Sequence, residues 1–229
     1  MDNKNKPLVS IIMNCLNGEK YLKEAIDSIL SQTFNNWEVI FWDNGSIDKS
    51  AKIVKSYNDK RIRYFFNTNT TVLGQARVNA TNQAKGKYLA FLDCDDIWME
   101  DKLEKQIKVI SEGNSALVYG RSEIMFSGNV EGKSSFIFMD GKPLPEGMVF
   151  EKLVCENFIP FLSAIVDKEK FDECGGFPNH YKHSTDYWIF LKMAYKYNVS
   201  AIQDVCCRYR IHSDNLSNFQ HVICAKEDI

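Results

Sequence analysis

The sequence predicts an α/β fold with a central, mostly parallel sheet flanked by helices, and a smaller hairpin-and-helix region toward the carboxyl end. Three observations carry this. Apolar runs of strand length alternate with segments of helical spacing through the first half. Polar clusters follow several of those runs, where a parallel sheet would gather them along one edge. Beyond residue 120 the alternation loosens into short runs broken by glycine and proline.

Leu8 to Met13 is a continuous apolar run, as expected of a strand buried on both faces. Tyr21, Leu22, Ala25, Ile26, Ile29 and Leu30 then recur at helical spacing. Trp37 to Trp42 predicts a second strand, and Ala51, Ile53, Val54 and Tyr57 a second helix. Ile62 to Phe66 and Tyr88 to Leu92 are the third and fourth strands, with helices over Leu73 to Ala84 and Met99 to Ile110. Leu117 to Tyr119 is a fifth. Such strand–helix alternation implies right-handed βαβ crossovers. Further on, Glu123 to Phe126 and Ser134 to Met139 suggest a hairpin. A helix near Phe150 to Asn157, a strand Phe161 to Val166, a Gly175-Gly176 turn, a helix Ser184 to Tyr197 and a strand Val205 to Ile211 complete the chain. With no repeat or linker in view, the expectation is one domain over 1–229, its halves dividing near residue 120.

Composition narrows the function. At 45% hydrophobic and 25% charged, the 229 residues match an ordinary globular protein, which excludes disordered, collagen-like and coiled-coil classes. A net charge of −2 supplies no basic surface for nucleic acid, so none is expected as a partner. The apolar runs fall far short of the ~20 residues that span a bilayer. Met1 to Lys6 is polar and lacks a leader pattern, so a cytoplasmic location is expected, with peripheral association at the inner membrane face left open. Seven cysteines without regular spacing suit reduced, buried thiols better than a disulfide framework or a zinc site.

Asp93-Cys94-Asp95-Asp96 follows the fourth strand. Three carboxylates in four residues repel one another unless a cation lies between them, and oxygen ligands suit Mg²⁺ or Mn²⁺. The same residues also suit a helix start. Asp43-Asn44-Gly45-Ser46 is a turn by composition, or a set of donors and acceptors for a nucleobase or ribose. Arg77 could steady carboxylates or ligand oxygens, or lie on a solvated face. Asp186, opening an apolar helix, is a cap or a general base. His212, within Arg210-Ile211-His212-Ser213-Asp214-Asn215, is a metal ligand or a structural histidine. No Gly-x-Gly-x-x-Gly, no P-loop and no Gly-x-Ser-x-Gly elbow is present.

Taken in order, these segments resemble glycosyltransferase family 2. The resemblance runs through Val9-Ser10-Ile11-Ile12, Asn17, Tyr21-Leu22, Ser28 to Phe34, Asp43 to Ser46, Ala76-Arg77, Gly86-Lys87-Tyr88 and Phe91 to Asp96. It continues more weakly through Gly175-Gly176-Phe177, Thr185-Asp186-Tyr187 and Tyr209 to His212. It implies a GT-A, Rossmann-like fold, with a nucleotide-sugar half over about 7–120 and an acceptor half over about 121–229. The activity implied is sugar transfer from a nucleoside diphosphate sugar, UDP by family habit, to a hydroxyl of a growing glycan or lipid-linked saccharide, with inversion. Asn14, Asn17, Asp43, Asn44, Arg77, Asp93, Cys94 and Asp95 would form the donor site, Asp95 with His212 would hold Mn²⁺ or Mg²⁺, and Asp186 would be the catalytic base. The chain departs from the family at Asn14, where proline is usual; at Asn44, where a second aspartate is common; and at Thr185, where glutamate commonly precedes the base. Two rivals stand beside this reading. A nucleotidyltransferase would want a glycine-rich basic segment after the first strand, and Asn14 to Tyr21 holds one glycine and one lysine. A non-catalytic nucleotide-sugar-binding module would keep the donor site without turnover.

Overall fold

A computed structural model describes residues 6–127, 134–213 and 215. Residues 1–5, Asp214 and the chain beyond 215 lie outside the described residues, so the amino-terminal reading and that aspartate are not placed. The first half forms β1 (Val9–Cys15), α1 (Leu22–Leu30), β2 (Trp37–Asp43), α2 (Ser50–Ser56), β3 (Ile62–Phe66), α3 (Leu73–Thr81), β4 (Tyr88–Phe91), β5 (Ile97–Trp98) and α4 (Lys102–Ile110). The second half forms β6 (Leu117–Phe126), β7 (Phe136–Ile137), α5 (Phe150–Cys155), β8 (Ile165–Asp167), α6 (Lys168–Glu173), α7 (Thr185–Lys196) and β9 (Val199–Ile211).

The strands form one sheet in the order β3-β2-β1-β4-β8-β6-β9-β5, with β7 paired to β6. The first four are mutually parallel, as helical crossovers require, and β1 runs in register with β2 from Val9 opposite Trp37 to Cys15 opposite Asp43. Beyond β4 the sheet is mixed: β8 is antiparallel to β4 and β6, while β9 is parallel to β6. Alternate residues feed two cores. Val9, Ile11 and Met13 face one and Ile12 the other, which is why β1 reads as an unbroken apolar run. Phe91 on β4 centres an aromatic cluster with Phe161, Phe171, Phe177 and Phe190, at ring separations of 4.8–6.4 Å.

Several elements differ from the expected ones. The run Phe161 to Val166 is a single 3₁₀ turn (Phe161–Ser163) followed by the short β8. The fifth strand and the run Glu123 to Phe126 are one strand, β6, and its partner β9 begins six residues earlier than Val205. The start of β9 was obscured by register shifts opposite Gly120, Arg121 and Ser122, where a bulge breaks its period of two. The pairing of β6 with β7 realises the anticipated antiparallel hairpin.

Lys102 is wholly buried at the start of α4, its ammonium donating to Gln106 Oε1 at 2.6 Å and lying 4.1 Å from the centre of the Trp98 ring. Burial pulls its pKa down to about 8, opposed in part by Cys206 and Cys207. In the unfolded chain a lysine titrates near 10.4, so between those values the unfolded state holds more protons and stability rises with pH. The burial penalty is therefore full below about pH 8 and gone above the unfolded value. Lys102→Met removes that penalty but leaves Gln106 short of a donor at every pH. The melting-temperature difference, variant minus wild type, shifts against the variant between pH 7 and pH 10. Thermal melts at the two values check this, and an unchanged difference contradicts it.

Candidate active site

The carboxyl ends of β1, β2 and β4 lie side by side, and the loops leaving them are stitched together. Asn44 N donates to Cys15 O at 2.8 Å and Asn17 N to Ser46 Oγ at 2.9 Å. Asn17 adopts a left-handed conformation (φ 56°), and its side-chain oxygen accepts from Ile47 N at 2.9 Å. Asn17 thus braces the two loops. Asn14 sits beside Trp42 in the register, its amide nitrogen buried without a partner.

Asp43 has no exposed surface: one oxygen accepts from Ser46 N at 2.7 Å and the other from the Tyr64 hydroxyl at 2.8 Å. Asn44 pins the segment after β3, donating to Thr71 O at 2.8 Å and accepting from Thr71 N and Oγ1 at 3.2 and 3.0 Å. Both residues lie where the sequence places them, with their hydrogen bonds satisfied within the chain.

The acidic loop after β4 divides its side chains. Asp93 points to α3 and α7, keeping 37% of its side chain exposed. Partial withdrawal from solvent raises its pKa, the Arg77 guanidinium opposes that rise, and the carboxylates of Asp95 and Asp186 add to it. Cys94 turns inward against Cys15, and the hydrogen bond between the two thiols, with burial behind it, raises its pKa. A Cβ on Gly18 would lie 2.7 Å from Cys94 Sγ and 2.9 Å from Cys15 Sγ, so glycine is what lets this loop close over the two sulfurs. Asp95 Oδ2 meets His212 Nε2 at 3.0 Å and Asn215 Nδ2 at 3.4 Å. Asp96 is buried, accepts from Arg210 N at 2.8 Å, and has its pKa raised by burial and by its two acidic neighbours.

Two arginines absorb this charge. Arg77, on α3, is buried with its guanidinium carbon 3.8 Å from the centre of the Phe161 ring. Its Nη1 donates to Thr185 Oγ1 and, at 3.3 Å, to Asp186 Oδ1, while Nη2 faces Asp93 Oδ1 at 3.7 Å. Gly74 permits this approach, because a Cβ there would lie 2.0 Å from Pro178 O in the segment leading to α7. Arg210, on β9, donates to Asp95 O at 2.7 Å and Glu24 Oε2 at 2.7 Å, and lies 4.3 Å from the centre of the Tyr21 ring. Asp186 is the second residue of α7 and 23% exposed; the cap position belongs to Ser184.

Five of the ten candidates thus fall into two contacting groups, Asp93–Arg77–Asp186 and Asp95–His212, joined through the acidic loop, while Asn14, Asn17, Asp43, Asn44 and Cys94 lie outside both. Arg210, Tyr64, Thr185 and Asn215 complete the site and were not singled out by residue type. A signal was present for Arg210, which lies two residues before His212 at a strand end.

Comparison with known proteins agrees with this architecture. The family described as glycosyl transferase family 2 matches residues 10–175. The UDP-Glc:alpha-D-GlcNAc-diphosphoundecaprenol beta-1,3-glucosyltransferase WfgD of Escherichia coli is 33% identical over 213 residues, which cover 92% of this chain and 80% of that protein. The putative teichuronic acid biosynthesis glycosyltransferase TuaG of Bacillus subtilis is 32% identical over 173 residues, covering 72% of this chain and 64% of that one. Among solved structures, S. aureus TarS 1-349 in complex with UDP-GlcNAc superposes with a TM-score of 0.77 at 22% identity, covering 93% of this chain. Mannosyltransferase PcManGT from Pyrobaculum calidifontis, in complex with GDP-Man and Mn²⁺, gives a TM-score of 0.65 at 18% identity, also over 93% of this chain. The chain spans 61% and 60% of those two solved chains. Among the described residues no helix is long and apolar enough to cross a membrane. With its GT-A fold and an acidic strand-end site, the chain belongs to glycosyl transferase family 2 and is by that membership a glycosyltransferase.

Proposed function

We propose that the chain transfers a sugar from a nucleoside diphosphate sugar, with UDP the favoured nucleotide, to a hydroxyl of a saccharide carried on a lipid diphosphate. The observation that carries the reading is the bridge Asp93–Arg77–Asp186, which sets a carboxylate of the acceptor half against the acidic loop of the donor half. The relative that acts on GlcNAc-diphosphoundecaprenol supports the acceptor class, and the UDP-GlcNAc complex of a structural neighbour supports the donor.

On this reading Asp186 takes the proton of the acceptor hydroxyl as its oxygen attacks the anomeric carbon from the side opposite the diphosphate, which inverts that carbon. Arg77 keeps this carboxylate at the mouth of the site. Asp93 would accept from a ribose or sugar hydroxyl through its open oxygen. Asp43 and Asn44 mark the nucleobase end; since the Asp43 carboxylate is covered and held by Ser46 N and the Tyr64 hydroxyl, direct contact with it would require those bonds to open.

Asp95 and His212 suit a divalent cation. Asp95 Oδ2 and His212 Nε2 lie at hydrogen-bond distance, 3.0 Å, and a carboxylate oxygen with an imidazole nitrogen would be the side chains to hold such an ion. Among the described residues no group of three or more such side chains surrounds one point, so water and diphosphate oxygens would fill the sphere, as suits Mn²⁺ or Mg²⁺. When bound, such an ion supplies Lewis-acid stabilisation of the charge developing on the leaving diphosphate. A lipid-linked acceptor would be met at the inner membrane face, by peripheral contact.

A thermal-shift panel of UDP, GDP, dTDP and CDP, each with Mn²⁺, Mg²⁺ or chelator, tests the donor site. One nucleotide at about a hundred times its Kd raises the melting temperature by roughly 5–10 °C, given a binding contribution of about 2.7 kcal/mol. No shift with any of the four contradicts the reading.

A further inference from the structure

Thr185 is the first residue of α7, one position before Asp186, and has no exposed surface. Its hydroxyl oxygen accepts from the same Arg77 nitrogen that reaches Asp186. The guanidinium carbon lies 3.8 Å from the centre of the Phe161 ring and Nη2 faces Asp93 at 3.7 Å, so Thr185 and Asp186 are what engage Nη1. A planar fork of donors is aimed by whichever acceptor fixes one of its nitrogens. Here that acceptor is a neutral hydroxyl, where a glutamate would place a third carboxylate against one guanidinium. The cap residue of α7, Ser184, is left-handed (φ 49°) and makes no side-chain cap bond.

We infer that Thr185 is a positioning residue for sugar transfer: by fixing Arg77 Nη1 it aims the guanidinium so that the Asp186 carboxylate is held in one orientation at the mouth of the site. This rests on the reading of Asp186 as the base. A misplacement of about 1 Å at a reacting group can cost on the order of 10²-fold in rate, so the hydroxyl matters to turnover without touching either substrate.

Thr185→Val keeps the buried, branched shape and removes the acceptor; Thr185→Ser keeps the acceptor. Both are compared with wild type and Asp186→Asn, using UDP-glucose, UDP-GlcNAc or GDP-mannose, whichever wild type turns over, and release of nucleoside diphosphate as the readout. The expected result is a kcat about 10- to 100-fold lower in Thr185→Val with donor KM little changed, near-wild-type rates in Thr185→Ser, and a displaced Asp186 carboxylate in a crystal structure of Thr185→Val. A Thr185→Val enzyme with wild-type kcat, while Asp186→Asn is inactive, overturns the inference and leaves the base reading standing. Equal losses in the valine and serine variants, accompanied by lower melting temperatures, reduce Thr185 to a packing role and also overturn it. If Asp186→Asn itself turns over normally, the base reading falls first and the inference with it.

Discussion

Asp186→Asn lowers the rate of sugar transfer by about 10² to 10⁴, the range that general-base catalysis typically contributes, while donor binding stays close to wild type. The substitution keeps the side-chain oxygen that accepts from Arg77 Nη1, so the Arg77–Thr185 contact survives and the two halves stay in register. What is lost is the group proposed to take the acceptor's proton. Donor affinity is expected to persist because the proposed donor contacts lie on the loops after β1, β2 and β4. Single-turnover rates with saturating donor, beside a thermal shift with the same nucleotide, separate the two effects. A variant within tenfold of wild type removes Asp186 from the role of base.

Asp95→Ala abolishes the metal-dependent part of nucleotide binding and reduces transfer at least as severely. Asp95 is the carboxylate that meets His212, so its loss takes one of the two protein donors proposed for the cation. It also frees His212 and Asn215 from a shared acceptor. The backbone oxygen of Asp95, which accepts from Arg210, is untouched by the change, so the loop stays tied to β9. In a titration with Mn²⁺ the wild type is activated to saturation, and the variant stays flat across the same range. Equal activation curves would move the cation site elsewhere.

The first half of the fold was legible because its strands are bounded by polar turns and three of them, β1, β2 and β4, are buried on both faces, so apolar runs and strands coincide. The second half hid its strands in two ways. The extra residues of β9 opposite Gly120 to Ser122 interrupt its alternation, which makes one long strand resemble a fragment. Phe161 belongs to an apolar run by composition, yet its backbone turns there so that its ring can lie under Arg77 and beside Phe91. Helix α6, with Lys168, Glu169, Lys170, Asp172 and Glu173 around one buried Phe171, carries too narrow an apolar stripe to be read as a helix.

The acidic loop was readable as a site because three carboxylates in four residues require compensation from somewhere. Where that compensation comes from is not a local property. Arg77 looks like a surface residue on its own helix, and its partners Asp93, Phe161 and Asp186 are distant in sequence. The inward turn of Cys94 likewise depends on Gly18 and Cys15, which the fold brings beneath it.

The proposed function requires that this site move a sugar as well as bind its nucleotide. The most direct test incubates the protein with Mn²⁺, a GlcNAc-diphospholipid acceptor and each of UDP-glucose, UDP-GlcNAc and GDP-mannose, and follows the acceptor by mass spectrometry alongside nucleoside diphosphate release. One donor is predicted to add a single sugar residue to the acceptor, with one nucleoside diphosphate released per product and the opposite anomeric configuration in the new bond. Nucleotide sugar that binds with metal yet is recovered intact, with the acceptor unchanged for every donor, would contradict that claim and favour a binding module.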